Sequence, residues 1–125
     1  MKQAIFPPNA AKPIAPYTPA ILANDTLYLS GQIALDQSGE LQISDIDTET
    51  RQVMENLGAL LKAANMDHSH LVKVTILLSD MAHYAAVNEV YGSYFSDLPP
   101  AREAYAVKGL PRGVNVEISG VAWRG

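Results

Sequence analysis

The segment LVKVTILL, residues 71–78, decides the fold of this chain. Its side chains are almost all apolar or β-branched, which is typical of a strand near the centre of a sheet. Ser79 and Asp80 follow directly and can cap a helix over about residues 81–95. The large side chains of that helix share one face, which predicts that they pack in the core rather than form a stacking platform. They are Tyr84, Val87, Tyr91, Tyr94 and Phe95.

A longer helix is predicted upstream, in the segment DIDTETRQVMENLGALLKAAN at residues 45–65. Asp45 or Asp47 can cap its start, and Glu49 suits the positive end of the helix dipole. Asn65 is a suitable residue to end it. Apolar residues recur with helical spacing and predict one buried face. These residues are Val53, Leu57, Leu60, Leu61 and Ala64.

The remaining apolar runs predict strands. Residues 20–23 and 26–34 flank Asn24 and Asp25, a pair suited to a two-residue turn, and so predict a hairpin. The segment DQSG at residues 36–39 is a turn that a short third strand can follow. The segments REAYAV and VNVEISGVAW, separated by the turn KGLPRG, predict the last two strands. We therefore expect one α+β domain over residues 1–125, with its helices on one side of a sheet.

Two features near the N-terminus constrain the backbone. Five of the eight prolines lie among residues 1–19, so this segment is expected to be extended and irregular and to lie over the domain. Within it, Pro16 and Pro19 stiffen the backbone that presents Tyr17. Ser30 and Gly31 interrupt the second strand of the hairpin, where a glycine often marks a bulge or the close approach of another group.

Composition excludes several classes of protein. The net charge is −4 and the lysines and arginines form no basic run, so nucleic acid is not an expected partner. The absence of cysteine excludes disulfides, thiolate nucleophiles and cysteine zinc sites. The sequence has neither a signal peptide pattern nor an apolar run long enough to span a membrane. We expect a cytoplasmic protein with no membrane partner.

The segment DHSH at residues 67–70 raises the question of a metal site. Two histidines alone do not complete such a site, so we predict no metal and expect Asp67, His68 and His70 to be solvated loop residues. The sequence also contains no phosphate-binding loop of the Gly-x-x-x-x-Gly-Lys type and no Gly-x-Ser-x-Gly nucleophile elbow.

The segment PPAREAYAV, residues 99–107, places Arg102 at the start of a strand behind two prolines. In the last strand Val116 and Ile118 alternate with Glu117, which puts the glutamate on the more polar face. If the turn KGLPRG joins these strands as a hairpin, Arg102 and Glu117 can face one cleft. There an arginine can grip a carboxylate and a glutamate can position or activate a water. The alternative is a cross-strand ion pair with no catalytic role.

Beyond these patterns, the segment PPAREAYAVKGLPRGVNVEI resembles the C-terminal signature of the reactive-intermediate deaminase family, also called the Rid or YjgF family. The shared frame is Pro-Ala-Arg, an apolar strand, a Leu-Pro turn and then Val-Glu-Ile. The resemblance runs from about Pro13 to Ala122. Other segments agree with the family in the same order: IAPYTPA, LYLSGQIALDQSGEL, TRQVMENLGALLKAANMD and LVKVTILLSDMAHYAAVNEVYGSYF.

The resemblance implies a chorismate-mutase-like fold of the bacillus type, with a six-stranded mixed sheet and two helices on one face. It implies a homotrimer whose sheets form an internal barrel and whose active clefts lie between subunits. The implied activity is hydrolysis of 2-imino or enamine acids, such as 2-iminobutanoate and 2-iminopropanoate, to 2-keto acids and ammonia, without metal or cofactor. Two other functions stay open: a regulatory trimer that binds keto acids without turning them over, and an endoribonuclease or translation inhibitor.

The resemblance also implies roles for single residues. By position, Arg102 matches the arginine that holds the substrate carboxylate, and Glu117 matches the glutamate that holds the attacking water. The implied substrate-binding positions are Tyr17, Ser30, Gly31, Asn88 and Ala104.

Three positions depart from the family pattern. Glu103 stands where many members carry a small residue, and strand alternation directs it away from the face of Arg102. Ala104 stands where many members carry cysteine, so no thiol chemistry is required. Ser119 stands where a second glutamate is usual. These changes can narrow or shift the choice of substrate, but they leave Arg102 and Glu117 in place.

Overall fold

The computed structural model describes residues 1–8, 13 and 15–125 and consists of a six-stranded mixed sheet with two α-helices packed on one face. The expected α+β class is therefore confirmed. In chain order the elements are β1 (Lys2–Ile5), β2 (Ala20–Ala23), β3 (Thr26–Gln32), α1 (Ile46–Ala63), β4 (Leu71–Leu78), α2 (Tyr84–Gly92), β5 (Ala101–Ala106) and β6 (Val116–Trp123).

The segment LVKVTILL forms β4 over the expected residues and lies inside the sheet, whose strand order is β1-β2-β3-β6-β4-β5. Val74, Ile76 and Leu78 point to the helices and are buried in the core. On the other face of β4, Leu77 is only partly buried, and Val72, at the register shift between Leu71 and Lys73, remains 46% exposed. A strand that is apolar on both faces therefore has only one of them covered within the chain.

The strands that carry Arg102 and Glu117 are not neighbours, so the predicted hairpin is wrong. β6 lies between β3 and β4, and β5 pairs with the far side of β4. The reason is the crossover: α2 separates β4 from β5 in the chain, and a strand–helix–strand connection pairs its strands in parallel. The alternative of a cross-strand ion pair is also wrong, since no ion pair joins the two side chains in the described part of the chain.

Helix α1 confirms its sequence pattern. Asp45 is the N-cap, and its carboxylate accepts a hydrogen bond from the Thr48 N–H at 2.8 Å. Beyond the helix, Asn65 has a φ of 60°, in the left-handed region that commonly ends helices. In the residues the structure describes, no helix combines the length and apolar character needed to cross a membrane. The predicted apolar face is buried: Val53, Leu57, Leu60, Leu61 and Ala64.

Helix α2 is shorter than predicted. Met81–His83 form a 3₁₀ turn whose first residues are capped by the Asp80 carboxylate, and the α-helix covers only Tyr84–Gly92. The predicted cap is therefore confirmed, but it belongs to the turn before the helix.

The aromatic stripe around α2 is only partly core. Val87 and Tyr91 are buried, and Tyr94 and Phe95 pack against the core from the loop beyond the helix. Tyr84 is 38% exposed, so its assignment to the core is wrong. Its ring is amphipathic, and its hydroxyl lies at the surface.

The predicted hairpin of β2 and β3 is present. The two strands are antiparallel and joined by a two-residue turn in which Asn24 has a φ of 54°. Strand β3 ends at Gln32, two residues earlier than predicted. The short third strand is reduced to a single bridge between Leu35 and Leu41.

Strand β1 was not expected, because residues 1–19 were predicted to be irregular. Lys2–Ile5 pair with β2 as an antiparallel edge strand. Only Ile5 in this strand is buried, so the sequence shows no alternation that could have indicated it. Residues 9–12 and 14 of the proline-rich segment lie outside the described residues.

His68 is not the solvated loop residue that was predicted. It lies in a 3₁₀ turn (His68–His70), half-buried, with its Nε2 2.9 Å from the carbonyl oxygen of Met54. Its ring centroid is 5.0 Å from that of Tyr94, so the imidazole packs against α1 and the loop after α2. Within the described ranges, no three His, Asp or Glu side chains are grouped to hold a metal ion.

Glu49 is a fully buried carboxylate that joins α1 to the start of β6. It accepts hydrogen bonds from the backbone N–H groups of Asn115 at 2.7 Å and Val116 at 3.1 Å, and from the Asn115 side-chain amide at 2.9 Å. The backbone carbonyl of Asn115 in turn accepts a hydrogen bond from the Ser79 N–H, just beyond the end of β4. Besides its favourable place at the helix N-terminus, Glu49 therefore fixes the residue at which β6 begins.

We expect Glu49→Gln to lower the free energy of unfolding by about 2 kcal/mol or more, because buried N–H donors then lose an acceptor and face an amide nitrogen. Urea unfolding at one fixed protein concentration measures the loss. Asp47→Asn is the matched control, since Asp47 is an exposed carboxylate of the same helical turn. Its effect should stay below about 1 kcal/mol. Equal losses in the two variants would contradict the role given to Glu49.

Candidate active site

The candidate site residues form two clusters on opposite faces of the sheet. Arg102 lies opposite Val74 of β4, and Glu117 lies opposite Leu77. Residues that lie opposite one another on paired strands point to the same face of the sheet. Val74 and Leu77 are three positions apart on β4 and therefore point to opposite faces. Arg102 therefore projects to the helix-covered face and Glu117 to the other.

The groove cluster, as we call it, consists of Tyr17, Ser30, Gly31 and Glu117, which line one groove of ≈ 1190 Å³. The pairing of β3 with β6 shifts register at Ser30 and Gly31. This irregularity confirms the bulge predicted from the glycine in the strand. A bulge bends the strand and re-aims its side chains, and here it opens the backbone of β3 to the groove.

Ser30 fixes the segment that carries Tyr17. Its Oγ donates a hydrogen bond to the Thr18 carbonyl at 2.6 Å, and its N–H donates to the Pro19 carbonyl at 2.9 Å. The Tyr17 side chain itself is 54% exposed. The backbone is thus held while the tyrosine ring stays accessible to a ligand.

Gly31 leaves the room that the Glu117 carboxylate occupies. A Cβ added at Gly31 would lie 2.8 Å from the Glu117 Cδ and nearer still to its Oε2. Burial raises the pKa of the Glu117 carboxyl above its ordinary value. In the described part of the chain no cation forms an ion pair with it. Such a carboxyl holds its proton more readily than an exposed one and suits proton transfer.

The arginine cluster consists of Arg102, Asn88 and Ala104. The Arg102 Nη1 donates a hydrogen bond to the Asn88 Oδ1 at 2.7 Å, and its Nη2 donates to the Tyr84 hydroxyl at 3.1 Å. Both partners are neutral. The positive charge of the guanidinium is therefore held in position without being neutralised by an acid among the described residues.

Two aromatic rings flank the same guanidinium. The Arg102 Cζ lies 5.6 Å from the ring centroid of Tyr84 and 5.2 Å from that of Tyr91, distances at which a ring face attracts a cation. The Tyr91 hydroxyl is buried and has no hydrogen-bond partner in the described residues. Burial raises the pKa of Tyr91 to about 12, while the charge of Arg102 opposes that rise. Tyr91 thus stays neutral beside the arginine.

Ala104 and Glu103 lie on β5 next to Arg102. Ala104 is on the same face as Arg102 and packs against the core, so it contributes shape rather than a polar group. Glu103 points to the opposite face, as predicted, where it pairs with Lys73 at 2.8 Å and accepts from the Thr75 hydroxyl at 2.6 Å. The hydrogen bond from Lys73 is the main reason that the pKa of Glu103 is lowered. Glu103 therefore neither blocks the arginine cluster nor neutralises Arg102.

Three further residues, which were not predicted as site residues, contact Arg102 or line the groove. Tyr84 had been assigned to the core by its helical spacing. Arg112 lines the groove, and its backbone has a φ of 55°. The Pro-Arg-Gly turn is the one sequence pattern that could have indicated the position of Arg112. Asn56 of α1 donates hydrogen bonds to the carbonyls of Ile33 at 2.9 Å and Leu35 at 2.8 Å, which holds the chain after the bulge. A single polar residue in a helix carries no pattern that reveals such a contact.

Comparison with known proteins gives close matches over the whole chain. The family model described as Endoribonuclease L-PSP matches residues 7–124. A RutC family protein of Pyrococcus horikoshii is 46% identical over 125 residues, which are 99% of each chain. The 2-iminobutanoate/2-iminopropanoate deaminase of Mus musculus is 43% identical over 126 residues, covering 100% of this chain and 93% of its own. The Homo sapiens protein of the same name is 41% identical, with 100% and 92% covered.

Solved structures share the fold along the full length. RidA of the Antarctic bacterium Psychrobacter has a TM-score of 0.91 at 32% identity, with 98% of this chain and 99% of its own covered. Escherichia coli TdcF, solved with bound serine, has a TM-score of 0.92 at 29% identity, with the same shares covered. The sheet order and helix positions described above are therefore those of an established fold.

We expect Gly31→Ala to leave the fold intact and to displace the Glu117 carboxylate, because the atoms in the way are the far end of a flexible side chain. The pKa of Glu117, followed by carboxyl ¹³C NMR, should then fall towards its ordinary value as the group moves into water. Gly109→Ala is the control, since nothing lies within 4 Å of a Cβ at that glycine. An unchanged pKa in Gly31→Ala would contradict the packing of the carboxylate on Gly31.

Stability should depend on pH through Glu117. Because its pKa is raised in the folded protein, ionisation destabilises the folded state relative to the unfolded one. This penalty is absent below the unfolded pKa and complete above the folded pKa. Glu117→Gln should therefore unfold at higher urea than the unsubstituted protein at about pH 7, with the difference vanishing below about pH 4. A difference that is the same at both pH values would contradict the raised pKa.

Proposed function

The chain belongs to the reactive-intermediate deaminase (Rid/YjgF) family, and from that premise we propose that it hydrolyses 2-imino acids to 2-keto acids and ammonia. The substrates would be of the 2-iminobutanoate and 2-iminopropanoate class, after which the relatives at 43% and 41% identity are named. The observation that carries the proposal is the Glu117 carboxylate, which lies in an open groove on the backbone of Gly31 with a pKa raised by burial.

Glu117 would serve as the group that moves the proton. A water molecule bonded to its carboxylate attacks C2 of the imine, so that a C–O bond forms and the C=N bond becomes a C–N bond. Glu117 takes the water proton and delivers it to the nitrogen. Glu117 then takes the proton of the new hydroxyl as the C=O bond forms and passes it to the nitrogen, so that the C–N bond breaks and ammonia departs. A carboxyl whose pKa is raised is suited to both taking and returning the proton.

Arg102 would hold the substrate carboxylate. Its guanidinium is kept in place by the neutral groups of Asn88 and Tyr84, so its charge is available to an anion, which an arginine can bind through two parallel hydrogen bonds. Holding the carboxylate fixes C2 relative to the water and turns a loose encounter into an oriented one.

A second copy of the chain would complete the site, because Arg102 and Glu117 face opposite sides of one sheet. We propose a homotrimer whose open sheet faces pack together, with each cleft taking Arg102 from one subunit and Glu117 from the next. Large side chains exposed on strands β3 to β6 support such packing. They are Tyr28, Val72, Tyr105 and Trp123.

RNA cleavage is the second candidate, favoured by the description of the matching family model as an endoribonuclease. The net charge of −4 argues against it, since binding to a phosphate backbone relies on clustered cations. The serine bound to Escherichia coli TdcF is a small amino acid, which agrees better with a site for small carboxylates.

The shared cleft predicts that two inactive variants restore each other. Arg102→Ala and Glu117→Gln should each lower the release of ammonia from a freshly generated 2-imino acid by at least about tenfold. After the two are unfolded together and refolded as mixed trimers, about a quarter of the clefts carry both native side chains, and activity should rise accordingly.

The control is each variant refolded alone, which should stay inactive and remain a trimer by light scattering. Mixed trimers without activity would contradict the shared cleft, whereas wild-type turnover in either single variant would remove the assigned role of that residue. Cleavage of RNA by highly purified protein, lost in Arg102→Ala, would favour the nuclease instead.

A further inference from the structure

The Tyr84 hydroxyl is placed to do more than support Arg102. It accepts a hydrogen bond from the Arg102 Nη2 at 3.1 Å, and its own proton has no acceptor among the residues that the structure describes. Its side chain is 38% exposed. By contrast, the hydroxyl of Tyr91, the other tyrosine beside the guanidinium, is buried and out of reach of a ligand.

The hydrogen bonds of Arg102 leave donors free beside this hydroxyl. A guanidinium has five N–H groups, and the described contacts use one on Nη1 and one on Nη2. A hydroxyl that accepts from a cation is polarised and becomes a stronger donor to a neighbouring anion. An anion on the free edge of Arg102 would therefore find the Tyr84 O–H next to it.

We infer that Tyr84 binds the substrate directly, its O–H donating a hydrogen bond to the carboxylate that Arg102 holds. This inference rests on the proposed function for the class of the ligand, a 2-imino or 2-keto acid. Asn88 keeps a different role, since its Oδ1 accepts from Arg102 and orients it.

Tyr84→Phe tests the inference, because it removes the hydroxyl and keeps the ring beside the guanidinium. Calorimetric titration with 2-oxobutanoate should show affinity weakened by about tenfold, the change expected for one lost hydrogen bond to a charged group. Turnover should show KM raised by a similar factor with kcat unchanged, since the contact is the same in substrate and transition state.

Tyr94→Phe is the matched control. The Tyr94 hydroxyl donates to Glu55 at 2.9 Å and has no contact with Arg102, so its loss should leave the affinity for 2-oxobutanoate unchanged. Circular dichroism and light scattering verify that both variants fold and assemble alike.

The outcomes separate this inference from the proposed function. Unchanged affinity in Tyr84→Phe, with normal imine turnover, overturns the inference alone. A fall in kcat as large as the rise in KM also overturns it, because Tyr84 would then act only by orienting Arg102. If the unsubstituted protein turns over no imine but Tyr84→Phe still weakens 2-oxobutanoate binding, the role of Tyr84 stands and the deaminase proposal fails.

Discussion

The buried carboxylate of Glu49 sits at the junction of the longest helix and the strand inserted between β3 and β4. Its oxygens bind the two N–H groups at the start of β6, and this contact sets which residues of β6 face the core. A strand that slips by one residue exchanges its two faces. Val116 and Ile118 would then leave the core and Glu117 would enter it. The role proposed for Glu117 in the groove therefore depends on the buried Glu49 carboxylate, which holds β6 in register.

The opposite orientation of Arg102 and Glu117 gives each half of the site its own environment. The guanidinium lies between tyrosine rings and neutral acceptors, where its charge is preserved. The carboxylate lies on glycine backbone and forms no ion pair among the described residues, and burial raises its pKa. Had the two been cross-strand neighbours, they would have neutralised each other and lowered the pKa of the glutamate.

Local patterns predicted the parts of this structure that depend on local physics. Strand β4, the face of α1, the bulge at Ser30 and the direction of Glu103 all follow from side-chain periodicity or from the lack of a Cβ. The order of the strands could not be predicted from the turn KGLPRG, because the partner of β5 is decided by the α2 crossover. The contact of Tyr84 with Arg102 was missed because helical spacing does not distinguish a buried ring from one whose hydroxyl reaches the surface.

The insertion of β6 between β3 and β4 also has a consequence for synthesis of the chain. Until residues 116–123 have left the ribosome, β6 cannot join β1-β2-β3 to β4-β5, and the edges of β3 and β4 that later pair with β6 lack their partner. Such edges readily pair with other chains. The nascent protein therefore passes through a stage that is open to aggregation. The pairing of β6 with β3 and β4 thus completes the sheet and also places Glu117 in the groove.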